Sequence, residues 1–235
     1  MKVAIMQPYF LPYLGYFQLV AAVDAFVIYD DVKYTKRGWI NRNRILAKNG
    51  EAEIITLPIA GDSDALAIRE RVLAADFPIQ GAKLVRRIED VYRDAPFFSS
   101  AMPLVRDSLV ATGTNLFSFL HHTLTLILAH LGIRTPVLIS SSLSIPSGLR
   151  GQDRVIAICS ALGATCYVNA PGGRALYDHP TFQNAGIDLC FLEPFLPSYQ
   201  QFQLPFVPAL SVIDALMFNS IHQLQSWQAG VRLSA

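Results

Sequence analysis

The opening 31 residues constrain the fold more than any other part of the chain. "KVAIMQ" is a short apolar run of strand type, and "AFVIYDDV" is a second, rich in Phe, Val, Ile and Tyr. Between them "LGYFQLVAAVD" spaces its apolar residues as a helix does. Strand, helix and strand within so few residues is a βαβ unit, which requires parallel strands and a crossover connection. The same pattern returns later. "PVLISSSL", "TCYVNA" and "IDLCFLE" read as strands, "GQDRVIAICSALG" as a helix ended by Gly163, and "LSVIDALMFNS" as a short helix with Ser211 as N-cap. The expected sheet therefore holds strands at 3–7, 26–30, 136–141, 165–169 and 187–192.

Two stretches depart from that pattern. "INRNRILAKNGEAEIITLPI" places two strand-like runs around Asn49-Gly50, a strong hairpin signal. From about 62 to 133 the pattern is helical: "ALAIRERVLAADF", "AKLVRRIEDVYRD" and "PLVRDSLVATG" are amphipathic, and the apolar "LFSFLHHTLTLILAHLGI" follows. The expectation is one α/β domain over residues 1–235, a parallel sheet with a β-hairpin and a helical insert at about 62–133.

Composition removes several functions. The net charge of +1 and 16% charged residues argue against a nucleic-acid binder driven by bulk charge. The most apolar segment is interrupted by His121, His122, Thr123, Thr125 and His130, so it reads as a buried helix and no membrane span is expected. The N-terminus lacks a basic flank followed by a clean apolar run, so no signal peptide is expected. Three cysteines without CxxC spacing fit free thiols in a reducing cytoplasm. No HExxH, P-loop, GxSxG or GxGxxG is present, no metal site is expected, and the His121-His122 pair reads as core packing.

Open parallel sheets bind ligands beyond the carboxyl ends of their strands, so the segments after each strand carry the functional candidates. After the first comes "QPYFLPYLGY". Pro8 and Pro12 make it rigid, Gly15 opens the approach to the helix start, and Gln7, Tyr13 and Tyr16 supply polar groups. The alternative is a stiff loop whose aromatics pack in the core. After the second comes "DDVKYTKRGWINRNR", the densest polar feature of a charge-poor chain. Lys33, Lys36, Arg37, Asn41, Arg42, Asn43 and Arg44 suit a phosphorylated or nucleotide-bearing ligand, and Asp30 and Asp31 suit a general base, a metal or sugar hydroxyls. The alternative is a solvated ribbon of alternating charge. After the third, Arg150 and Asp153 stand ahead of a helix, as anion ligands or as mere helix-start residues. After the fourth, Asn169 leads into Pro171-Gly172-Gly173-Arg174, a backbone-exposing turn with a cation beside it, hence a phosphate or carboxylate pocket or a plain turn. Four such segments at one end of one sheet favour a shared ligand site over four coincidences.

The stretches "KVAIMQPYFLPYLGYFQL", "WINRNRI", "LGATCYVNAPGGRALYD" and "LSVIDALMFN" together resemble the WbqC-like protein family, from the N-terminus to about residue 220. The resemblance implies a bacterial protein encoded among genes for O-antigen and other surface polysaccharides. The first strand, corner and helix start also look like nucleotidyltransferases with a HIGH-type motif. That resemblance implies a Rossmann-like (HUP-type) sheet, with Tyr13 and Tyr16 where those enzymes carry histidines. Together the resemblances imply a cytoplasmic group-transfer enzyme, a transferase of acyl or aminoacyl units onto a nucleotide-activated amino sugar, with ATP or a sugar nucleotide as the small-molecule ligand. Arg42, Arg174 and the Gly172-Gly173 backbone would hold phosphate. A glycosyltransferase and a non-catalytic scaffold subunit of a biosynthetic complex are the rival readings.

Overall fold

The computed structural model describes residues 1–63, 65–110, 113–203 and 205–234. Its centre is a six-stranded sheet in the order β5-β2-β1-β6-β7-β8. The strands are β1 (Lys2–Met6), β2 (Ala25–Ile28), β5 (Val137–Ile139), β6 (Cys166–Asn169), β7 (Asp188–Glu193) and β8 (Arg232–Ser234). All neighbours pair in parallel except β7 and β8. This is the Rossmann-like α/β arrangement. β1 runs on to β2 on one side and pairs with β6 on the other, so the strand order reverses between β1 and β6. That junction is where open α/β sheets form their crevice.

Alternation along the strands sends side chains to two cores. Ala4, Phe26, Ile28, Val168 and Leu192 face α1 (Leu14–Ala21), α7 (Val212–Phe218) and α8 (Ile221–Gln228). Val3, Ile5, Val27, Tyr167 and Phe191 face α5 (Gly151–Ala161) and α6 (His179–Asn184). Gln18 on α1 is fully buried and ties the first helix to the chain's far end. Its amide donates to the Phe195 and Trp227 carbonyls at 2.7 and 3.1 Å, and its oxygen accepts from Phe195 N at 3.1 Å. Asp214 on α7 is buried too, and accepts from Tyr92, Tyr199 and Gln201 at 2.9, 2.6 and 2.6 Å. Burial holds its carboxyl above the usual value against these three donors.

The hairpin forms as its turn signal predicts: β3 (Arg42–Leu46) pairs antiparallel with β4 (Ala52–Thr56), with Gly50 at φ +82° between them. Ser211 caps α7 through Ile213 N, and Gly163 ends the α5 region at φ +66°. Within 62–133 three helices form, α2 (Phe77–Tyr92), α3 (Phe98–Ser108) and α4 (Leu116–His130). Residues 64, 111 and 112 of that predicted helical stretch lie outside the described residues. One element differs from expectation. "ALAIRERVLAADF" makes no α-helix but a short 3-10 turn over Ile68–Glu70 with extended flanks. Its backbone is taken by the strand-like segment after β2: Ile68 N donates to Val32 O, Arg69 N to Asp30 O, and Leu66 O accepts from Tyr34 N, at 3.0–3.1 Å. Tertiary pairing outweighs local helical spacing here. Among the described residues no helix is long and apolar enough to cross a membrane.

Candidate functional site

The parallel strands bring the ends of β1, β2, β5 and β6 to one edge. At the end of β2, Asp30 is 1% exposed and its carboxylate is fully engaged. It accepts from Ser140 Oγ at 2.8 Å, Ser141 N at 3.0 Å and Ser141 Oγ at 2.7 Å, all from the end of β5. Asp30 therefore locks two strand ends together. Asp31 lies 2.6 Å from the same Ser140 Oγ, so the two carboxylates share one hydroxyl proton, and it forms an ion pair with Arg154 of α5. Arg154 stands in the fourth position of α5, and a helical side chain leans back over its own first turn. There the unpaired N–H groups of the helix favour an anion. Its guanidinium sits 5.9 Å from the Tyr29 ring centre, and its buried Nε has no hydrogen-bond partner among the described residues. Burial pushes the Tyr29 phenol up to about 12, against the pull of Arg154, with Asp31 and Tyr177 adding to the rise. Tyr29, Asp31, Arg154 and Tyr177 thus share one neighbourhood on the α5 face of the edge. Gln152 closes it by accepting from Asp178 N at 3.1 Å. Arg150 and Asp153 stand exposed at the start of α5.

The corner after β1 belongs to the other face. Pro8, Phe10, Leu11 and Pro12 are buried, and Leu11 holds the left-handed φ of +44°. A non-glycine residue in that region costs about 1–2 kcal/mol, so the path needs external bonds. Asn43 of β3 supplies them by donating to the Phe10 and Leu11 carbonyls at 2.9 and 2.8 Å. Phe10 N donates to Trp39 O, and Val212 N to Pro12 O, at 3.0 and 2.9 Å. Asn41, buried beside it, accepts from Tyr34 Oη at 2.7 Å and donates to Leu57 O at 2.9 Å. Both asparagines are therefore engaged in the frame. Tyr16 is 2% exposed and donates to the Gln7 carbonyl at 3.1 Å, with its phenol pushed well above its usual value by burial. Tyr13 is half-buried, and its hydroxyl finds no hydrogen-bond partner among the described residues. A Cβ on Gly15 would come within 2.5–2.7 Å of the Tyr13 ring, so the glycine makes room for that ring. Tyr13 lines a cavity of about 160 Å³ with Tyr9, Pro12, Trp39, Asn43, Arg44 and Ala209.

The remaining candidates are spread more widely. Lys33, Lys36 and Arg37 are exposed, and Arg37 sits at φ +62°. Arg42 donates to the Gly38 carbonyl at 3.0 Å and to the Arg37 carbonyl, closing that loop on itself. Gly173 gives room to the Asn169 amide, whose Nδ2 would lie 2.4 Å from an added Cβ, while Gly172 faces open space. Arg174 lies 4.5 Å from the Phe191 ring centre and donates to Ser234 on β8, on the far side of the sheet from β2. Asp31 and Arg154 thus meet at the edge, whereas Arg42 and Arg174 reach in separate directions.

Two arginines, Arg71 and Arg154, escaped the sequence reading, while Arg44 belonged to the polar stretch after β2. Among the described residues Arg44 and Arg154 each carry a buried Nε without a partner, and Arg71, 2% exposed, leaves Nε and Nη2 unpartnered while stacking 4.7 Å from the Tyr34 ring. In the sequence each has a polar residue before it and an apolar one after it, as in Asn43-Arg44-Ile45, Glu70-Arg71-Val72 and Asp153-Arg154-Val155, which sets none of them apart. Among the described residues no group of three or more His, Cys, Asp or Glu gathers as a metal site. The three cysteines are free, with the Cys166 and Cys190 sulfurs 3.5 Å apart across β6 and β7.

The sequence model of the WbqC-like protein family matches residues 7–226 of the chain. The chain belongs to the WbqC-like family. An uncharacterized protein of Mycobacterium tuberculosis, Rv1507c, is 34% identical over 221 residues, covering 93% of both chains. No solved structure matches the chain. The matched range takes in the corner, the hairpin and the β2, β5 and β6 ends, so both constellations lie within the family's span.

Proposed function

We propose that this WbqC-like protein is a group-transfer enzyme of bacterial surface-polysaccharide synthesis that binds a nucleotide-activated ligand at the carboxyl edge of its sheet. The observation that carries the reading is Arg154: a cation held in place by Asp31, leaning over the first turn of α5, with one N–H unfilled. A phosphate there would meet the guanidinium and the helix N–H groups together. Asp30 positions the edge through Ser140 and Ser141 rather than meeting the ligand. Asp31 orients Arg154, and the Tyr29 phenol, kept neutral by burial, offers a hydrogen bond to the same ligand, as does the Tyr177 hydroxyl. In acyl or aminoacyl transfer to an amino sugar, the sugar nitrogen forms the new C–N bond, the bond from the acyl carbon to its carrier breaks, and the nitrogen's proton passes to a base. Asp31 is the carboxylate at hand for that proton. Adenylyl transfer with Tyr16 in a histidine's role is not favoured, because its hydroxyl is committed to the Gln7 carbonyl.

Thermal-shift titrations with ATP, a uridine diphosphate sugar and a coenzyme A thioester test the reading. Stabilisation by the sugar nucleotide supports transfer to an activated sugar, and stabilisation by ATP alone supports an activation step. Arg154→Gln should weaken the responding ligand about tenfold or more, the range for a charged hydrogen bond. No response to any of the three would leave the scaffold reading in its place.

A further inference from the structure

The cavity beside the β1 corner shares no lining residue with the Arg154 neighbourhood, and its chemistry is different. Its walls are Tyr9, Pro12, Tyr13, Trp39, Asn43, Arg44 and Ala209, and none of these is acidic. Arg42 and Arg44 project from the same side of β3, because residues two apart share a face, while Asn43 and Ile45 turn inward. Both guanidiniums flank Trp39, with centroid distances of 6.0 and 5.7 Å. Arg44 Nη2 donates to the Ala209 carbonyl at 3.1 Å, and its Nε is buried without an acceptor. No carboxylate pairs with Arg44 among the described residues. The guanidinium is under-satisfied as it stands and gains by turning an N–H edge onto an incoming anion.

Two further features mark the cavity as built for a ligand. Among the described residues the Tyr9 and Tyr13 hydroxyls have no hydrogen-bond partner, and burial raises both phenols, so each is a neutral hydroxyl that donates and accepts. Leu11, Arg37 and Ala209, non-glycine residues at positive φ, lie in the segments that frame it. Backbone strain of this kind gathers at ligand sites, where the surrounding structure holds it.

Size then narrows the ligand. About 160 Å³ is room for roughly five waters at about 30 Å³ each, well under the volumes of about 300 Å³ and more that take larger ligands. A single substituted ring is the ligand size that this volume accommodates. Aromatic faces suit the flat C–H face of a ring, unpartnered phenols suit ring hydroxyls, and the arginine suits a carboxylate. We propose that this cavity binds a monocyclic polyhydroxylated acid, a pyranose carrying a carboxylate, with Trp39 and Tyr13 against the ring and Arg44 on the acid group. The use made of that acid rests on the proposed transfer reaction, but its binding does not require nucleotide.

Glucuronate, glucose and benzoate, titrated separately without nucleotide and followed by saturation-transfer NMR, separate the contributions. Glucuronate should bind at least tenfold tighter than glucose, which lacks the carboxylate, and tighter than benzoate, which lacks the hydroxyls. Arg44→Gln should remove the preference for glucuronate over glucose. Trp39→Ala should weaken both sugars, and with Trp39 41% exposed this variant is expected to fold whatever Arg44→Gln does. Equal binding of glucose and glucuronate to the wild type, tighter binding of benzoate, or binding untouched by Trp39→Ala would overturn the inference. Any of these would leave the Arg154 site standing, because that site is read by nucleotide titration alone.

Discussion

The corner after β1 and the turn after β6 look alike in sequence, and the fold treats them in opposite ways. Each is a proline-marked segment leaving a parallel strand at the same edge of the sheet. The corner is gripped from two directions, by Asn43 and the Trp39 backbone on one side and by Val212 on the other, and it lines a cavity. The turn over Pro171–Leu176 is exposed apart from Gly173, and its arginine lies against Phe191 and β8. Rigidity set by proline is common to both. Only in the corner is the rigidity also imposed from outside, around a cavity.

The sharpest way to break the contrast is to release the grip. Asn43→Ala strands the Phe10 and Leu11 carbonyls in the interior and should cost about 2–6 kcal/mol at about 1–3 for each lost buried partner. The melting temperature should then fall by at least about 4 °C, at about 2–4 °C per kcal/mol for a chain of this size. A drop under about 2 °C would mean that the corner holds itself. On the turn, Gly173→Ala drives a methyl into the Asn169 amide and should destabilise by about 1–3 kcal/mol, while Gly172→Ala should be near neutral. Chemical denaturation of the pair measures this, and equal effects would contradict the assigned roles. Tyr16→Phe removes a buried bond to Gln7 and should cost about 1 kcal/mol, whereas Tyr13→Phe should stay within about 0.5 kcal/mol and show itself only in ligand titrations. Arg174→Ala should cost under about 1 kcal/mol, with nucleotide affinity changed less than twofold. A large loss of affinity would return the turn to the ligand site.

Strand and helix order was legible because periodicity reports which faces are buried: β1, α1, β2, α5, β6 and β7 carry it plainly, and Asn49-Gly50 marks the hairpin. The stretch 65–76 was misread because its apolar spacing also suits a ribbon whose partner, residues 30–34, is distant in sequence. Tyr13 and Tyr16 were indistinguishable on paper, since one helical turn separates a hydroxyl turned into the core from one left at a cavity. Asp30 and Asp31 stood out by their adjacency. Which of them is spent on serines and which holds an arginine depends on β5 and α5, more than a hundred residues away. Arg154 and Arg71 were invisible for the same reason, and Arg44 was legible only as one cation of a basic stretch: a missing partner is a property of the packed chain.

The corner's outside grip also sets when it can exist. Pro12 waits for Val212, Arg44 O for Ser211 N, and Gln18 for Phe195 and Trp227. During synthesis the first strand, helix and hairpin emerge early, yet the bonds that fix them are closed by residues made some 170 to 210 positions later. Long loops must close before those contacts form, which slows folding and leaves early apolar surface uncovered meanwhile. A chain interrupted before α7 would carry most of the sheet and no finished corner, and would be a natural target for chaperones and proteases.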